Sequence, residues 1–188
     1  MIGLYIVLGI ILLLLLIFIG IYNGLVRSRM EVRNAWSQID VQLKRRHDLI
    51  PNLVETVKGY RNFERETLEA VTRARNVAVQ ATSAGVGERA KAEGELGSAL
   101  ARLLVVVERY PDLKANQNFL ALQEELTSTE NKIGFSRQFY NDSVMRYNNG
   151  IQMFPSNVIA SMTGFHPSEF FQIAAAEERE APKVSFTT

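Results

Sequence analysis

The sequence predicts an all-α protein: a single N-terminal transmembrane helix followed by an antiparallel four-helix bundle of long, coiled-coil-like helices. Three observations predict it. The first 22 residues, MIGLYIVLGIILLLLLIFIGIY, carry no charged side chain. Beyond them, apolar residues recur at steps of three and four as far as Phe154, the period of one helix face. No stretch of the body alternates apolar and polar residues as a half-buried strand does, and Val105-Val106-Val107 sits inside helical spacing.

The first element follows from length and charge. At about 1.5 Å per residue, a helix of this length reaches roughly 33 Å, enough to cross a hydrocarbon core of about 30 Å. Lipid offers no partner for backbone N–H and C=O groups, so the segment must pair them internally as a helix. A cleaved secretory signal needs a basic start, a shorter apolar core and a small-residue cleavage site. None of these is found from Met1 to Gly24, so a retained anchor is expected, with membrane lipid as the partner of residues 1–22. Arg27, Arg29 and Arg33 follow closely, and the positive-inside rule then places the C-terminal body in the cytoplasm. Gly20 and Gly24 form a small-x-x-x-small pair at the membrane exit, a spacing that lets helices pack closely.

The remainder of the 188 residues is long enough for one domain with a core. With 21 basic and 20 acidic side chains the net charge is +1, which excludes the strong basic field of a dedicated nucleic-acid binder. The absence of cysteine removes disulfides, thiolate metal sites, cysteine nucleophiles and a cysteine-linked lipid anchor.

Along the body, Val32, Trp36, Ile39, Leu43 and Ile50 mark one helix face, with Trp36 expected in the core and Asp40 beside it. Pro51, followed by Asn52, predicts a break or kink. Helical spacing resumes at Leu53, Val54 and Val57, then at Leu68 and Val71, and Ala81–Gly87 reads as a loop. A third helix carries Leu96, Leu100, Leu103 and Val107 and ends near Tyr110-Pro111-Asp112. Asp112 or one of its neighbours is expected to cap a last helix whose first turn is Leu113-Lys114-Ala115. That helix is the longest, with Phe119, Leu122, Leu126, Ile133, Tyr140, Val144, Tyr147, Ile151 and Phe154 on its stripe, as in a packed bundle. After Pro155 the pattern loosens into a turn at Gly164-Phe165-His166-Pro167 and a short apolar helix at Glu169–Ile173, where Phe170 and Phe171 can dock on the bundle or on another subunit. The end of the chain is expected to be mobile.

Site chemistry is sparse. His47 and His166 lie far apart, and His47 reads as a polar histidine on a helix surface. Lys44-Arg45-Arg46 reads as a solvated face pairing with nearby carboxylates such as Asp40 and Asp48. There is no metal-ligand spacing, nucleophile motif or phosphate-cradling glycine loop. No enzyme activity, cofactor, metal or nucleic-acid partner is expected. Tyr140-Asn141 and Tyr147-Asn148 repeat at an interval of seven, so the tyrosines share one stripe and the asparagines flank it, placed to hydrogen-bond across helices.

Three long strings carry a family resemblance: AWSQIDVQLKRRHDLIPNLVETVKGY (Ala35–Tyr60), ERYPDLKANQNFLALQEELTSTENKI (Glu108–Ile133) and YNDSVMRYNNGIQMFP (Tyr140–Pro155). The chain resembles the LemA family, whose Gly-Phe turn matches Gly164-Phe165; Phe63 departs from it, standing where the family carries a histidine. The resemblance implies an N-terminally anchored protein of the bacterial inner membrane, with a helical-bundle body and no established catalytic activity. Some such relatives serve magnetosome membrane assembly. The expected division is an anchor at 1–23, a bundle at 24–154, and a docking segment with a tail at 155–188. The expected function is a non-enzymatic membrane-anchored scaffold that self-assembles into a homo-oligomer. The alternative is an adaptor bound to a membrane protease or other membrane protein.

Overall fold

The computed structural model describes residues 1–60 and 64–172. Among them there is no strand. Six α-helices follow one another: α1 (Ile2–Lys58), α2 (Arg65–Gln80), α3 (Val86–Val107), α4 (Pro111–Lys114), α5 (Gln117–Gln152) and α6 (Ser156–Thr163). A 3-10 turn at Ala81–Ser83 occupies part of the expected loop between α2 and α3. Phe63, Ile173 and the tail beyond it lie outside the described residues.

The chain forms two compact units. One joins Met1–Leu43 to Asn131–Phe170; the other holds Lys44–Glu130 with Phe171 and Gln172 among the described residues.

In the second unit, the last turns of α1 supply Ile50, Leu53, Val54 and Val57 to a buried aliphatic core. Leu68, Val71 and Ala78 of α2, Leu96, Leu103 and Val107 of α3, Leu113 of α4 and Phe119 of α5 complete it. The stretches from α1, α2 and α3 each bury one stripe, as their periodicity requires, and α4 and α5 add one side chain each. Pro51 does not break α1, which continues to Lys58. Proline removes the donor that would bond the carbonyl four residues earlier, that of His47. Arg75 Nε of α2 donates to this oxygen at 3.0 Å, so the carbonyl is satisfied from outside the helix. The start of the last helix also differs from expectation. Pro111 opens the four-residue α4, and α5 begins afresh at Gln117. The cap is Asn116 rather than Asp112: its Oδ1 accepts the Phe119 N–H at 3.1 Å.

In the first unit, α1 and α5 run antiparallel. The Trp36 and Tyr140 rings lie 5.3 Å apart, and a methyl group built on Gly150 would stand 3.7 Å from Leu25 Cδ2. Val32, Ala35, Ile39 and Leu43 of α1 are buried, as are Ile133, Tyr140, Val144, Tyr147 and Ile151 of α5. Trp36 is only half-buried: it edges this seam, and Ala35 occupies its centre. Residues 1–17 of α1 are exposed on every side. After α5 the chain makes α6, which sequence periodicity missed, and then a segment at 165–172 without regular secondary structure, so the described part of the stretch expected as a helix from Glu169 is not helical. Gly164 stops α6 with φ of 72°, a left-handed conformation that costs glycine little.

Candidate interaction site

The residues singled out by the sequence converge on the segment at 165–172. Phe165, buried directly after the Gly164 turn, sets its ring 5.8 Å from Tyr22 and 6.5 Å from Tyr147. The Arg29 guanidinium lies 4.6 Å from the centre of the same ring, a cation–π contact. Three α5 side chains then hold the backbone that follows. Tyr147 Oη donates to His166 O at 2.9 Å, and Tyr140 Oη donates to Glu169 O at 2.8 Å. Asn148 makes a two-way exchange with Ser168, donating Nδ2 to its carbonyl and accepting its N–H, both at 2.9 Å. These bonds do the work of a strand ladder for a segment that has no neighbouring strand. The seven-residue repeat of Tyr-Asn therefore pairs with residues 166–169, where bonds between helices were expected.

Burial pushes the Tyr140 hydroxyl up to about 12, with the Glu169 carboxylate adding to it. Burial also raises Tyr147, against an opposing contribution from the Arg29 charge. Both phenols thus stay protonated near neutrality and donate, as their partners require.

Other predicted positions fall elsewhere. Asp40 and Asn141 are half-buried in the first unit, and Pro51 and Asn52 are exposed on α1 in the second. Phe171 is buried in the second unit, whereas Phe170 is partly exposed. Gly20 and Gly24 have open space around them.

The second unit holds a cluster that sequence reasoning missed. Arg46 and Glu93 are both 2% exposed. Arg46 forms an ion pair with Glu93 and another with Glu130 at 2.7 Å, and it also donates to Glu93 O at 3.2 Å. His47, also buried, shares a hydrogen bond of 2.8 Å between Nε2 and Glu93 Oε1. Burial alone would raise Glu93, but the His47 hydrogen bond and the Arg46 charge outweigh it and hold the carboxyl below its usual range. The ionised carboxylate accepts, which assigns the proton to Nε2 of His47. Neither the surface reading of His47 nor the solvated-face reading of Arg46 survives; Arg45 alone keeps an exposed pair, with Glu125. One signal was available. The seven-residue step from Leu43 to Ile50 leaves positions 46 and 47 on the buried face, and Glu93 stands three residues before buried Leu96.

Among the described residues, no three His, Asp or Glu side chains group to hold a metal ion. A shallow groove between α2 and α3 is walled by the exposed side chains of Glu66, Glu95 and Arg102. The polar contacts of both clusters are made within the chain itself, and Arg29 Nε and Arg46 Nε stay buried without a hydrogen-bond partner.

Comparison with known proteins gives a consistent picture. The LemA family profile matches residues 35–186. Protein LemA of Metamycoplasma hominis is 30% identical over 165 residues, covering 86% of this chain and 73% of that protein. Magnetosome protein MamQ 2 of Paramagnetospirillum magneticum is 27% identical over 175 residues, and magnetosome protein MamQ of Magnetospirillum gryphiswaldense is 26% identical over 174. In both, 80% of this chain aligns and spans 64% of the MamQ length. By profile and by relatives, the chain belongs to the LemA family.

Proposed function

We propose that this protein is a non-enzymatic scaffold, anchored in the bacterial inner membrane by residues 1–22, that self-assembles through its helical body. One observation carries the self-assembly: Phe135 and Phe139 lie one helical turn apart on α5, and Phe135 is 73% exposed. Large aromatic side chains left bare on one helix face mark a contact surface. Tethering to a plane raises the effective concentration of neighbours, so a modest lateral contact suffices. The exposed apolar helix at 2–17 supports the anchor, and Arg27, Arg29 and Arg33 support a cytoplasmic body. The magnetosome relatives support a membrane-associated role.

Crosslinking tests the assembly. The chain has no native cysteine, so Gln138→Cys, an exposed neighbour of the ring pair, gives a single reactive thiol. In vesicles, a short bis-maleimide, which joins two thiols, should yield a covalent homodimer that disappears on adding Phe135→Asp and Phe139→Asp. Monomer alone, or a dimer indifferent to both substitutions, would contradict the proposal.

A further inference from the structure

The corner between α5 and α6 carries a second set of bare apolar side chains. Phe154 is 83% exposed and Met162 73%, and Met153 and Val158 are exposed beside them in the chain. Val158 and Met162 stand four residues apart on α6, whose other face buries Ile159 and Ala160. The chemistry of this stretch is uniform: between Arg146 and Glu169 there is no Asp, Glu, Lys or Arg. A surface segment exposed to water would ordinarily carry charge over such a length.

Its position is fixed by contacts within the first unit. Trp36 faces Tyr140 and Leu25 faces Gly150, so the antiparallel register carries Met153 and Phe154 to the level of Asn23 and Tyr22. The chain leaving α6 returns to the same level, where the Phe165 ring meets Tyr22. Phe18 and Ile21 are the first side chains of α1 that the rest of the unit covers. The bare corner therefore lies beside the last turn of the apolar span. If residues 1–22 cross the bilayer, the corner stands at the membrane surface.

We infer that Met153, Phe154, Val158 and Met162 form a second, interfacial membrane contact, dipping into the boundary between headgroups and acyl chains beside the anchor. An apolar face of this kind lies about 5–10 Å into that boundary. Exposed Arg27, one turn beyond the span, is placed for anionic headgroups at the same level. The contact gives α6 a function that packing alone does not explain. It also sets the tilt of the first unit, because a single span leaves rotation about the anchor free and a second contact removes it. The inference rests on the anchored reading of residues 1–22.

Depth-dependent quenching tests it on the full chain in phosphatidylcholine–phosphatidylglycerol vesicles. Phe154→Cys and Met162→Cys, each labelled with an environment-sensitive fluorophore, are compared with Leu12→Cys in the span and with exposed Val105→Cys in the second unit. The labels at 154 and 162 should emit to the blue of the label at 105. They should lose most of their emission to lipids bearing a nitroxide near the headgroup, and resist aqueous iodide. Either variant decides the matter if the other fails to fold. Emission matching position 105, while the label at 12 is still quenched by lipid, would overturn the inference and leave the anchor standing. Shielding from both quenchers would also overturn it, since protein rather than lipid would then cover the corner. A label at 12 that lipid does not quench would overturn the anchored reading itself, and this inference with it.

Discussion

The two units of this chain solve the same problem with opposite chemistry. Each must bury polar groups that packing takes from water. The first does so with neutral donors: two phenols and one carboxamide hold the backbone of residues 166–169. The second does so with charge: the buried Glu93 carboxylate takes the Arg46 ion pair and the His47 hydrogen bond. The difference sets how each fails. A neutral bond contributes on the order of 1 kcal/mol and its loss is local. A buried ion pair contributes little net stability when intact, but removing one partner strands the other, at a cost of several kcal/mol.

The largest effect should come from Glu93→Ala, which leaves Arg46 and His47 without their shared acceptor. Denaturant unfolding should show a loss of about 3–5 kcal/mol. A loss below about 1 kcal/mol would place the cluster on the level of a surface pair and erase the contrast. Next is Trp36→Ala. Full burial of tryptophan would put the loss at about 3–5 kcal/mol, and half-burial at the edge of the seam reduces it to about 2. A value in the full range would mean the ring contributes more to the core than its exposure indicates.

Asn148→Ala should cost about 1–2 kcal/mol, by removing both bonds to Ser168. Hydrogen exchange should then speed at Ser168, whose N–H loses its acceptor. Unchanged exchange there would show that Phe165 and the two tyrosine bonds hold the segment without Asn148.

The gentlest probe is pH, and it acts on opposite sides of neutrality. Glu93 is depressed below 4.5, so its contribution is complete above that pH and lost as pH falls through the folded value. Tyr140 is raised from 10.0 to about 12, so its contribution is complete below pH 10 and lost as pH rises towards 12. Glu93→Gln should flatten the acid limb, and Tyr140→Phe the alkaline one. If either substitution flattened the wrong limb, the assignment of charges to the second unit and neutral donors to the first would fail.

How much of this was legible in the sequence depended on what each residue pairs with. Periodicity reports burial by apolar side chains, so the helices and their stripes could be read directly. Tyr140, Tyr147, Asn148 and Phe165 were also visible as a pattern, but their partners were not. Backbone carbonyls some twenty to thirty residues away leave no trace in side-chain spacing. The ion cluster was hidden for a related reason. Arg46 and His47 follow Lys44-Arg45, so they read as part of an exposed basic run, although the gap between Leu43 and Ile50 required something to fill the buried face. Pro51 does not end α1, and the Arg75 bond to the carbonyl that it leaves free comes from another helix, which spacing does not show. Helix α6 was missed because eight residues hold too few turns for a periodicity to show.

The claim that this chain is a membrane-anchored, self-assembling scaffold is tested most directly by one mass. Full-length protein extracted in mild detergent should be measured by light scattering, with bound detergent subtracted. A single discrete species containing more than two chains is the predicted result. A monomer or dimer would contradict it.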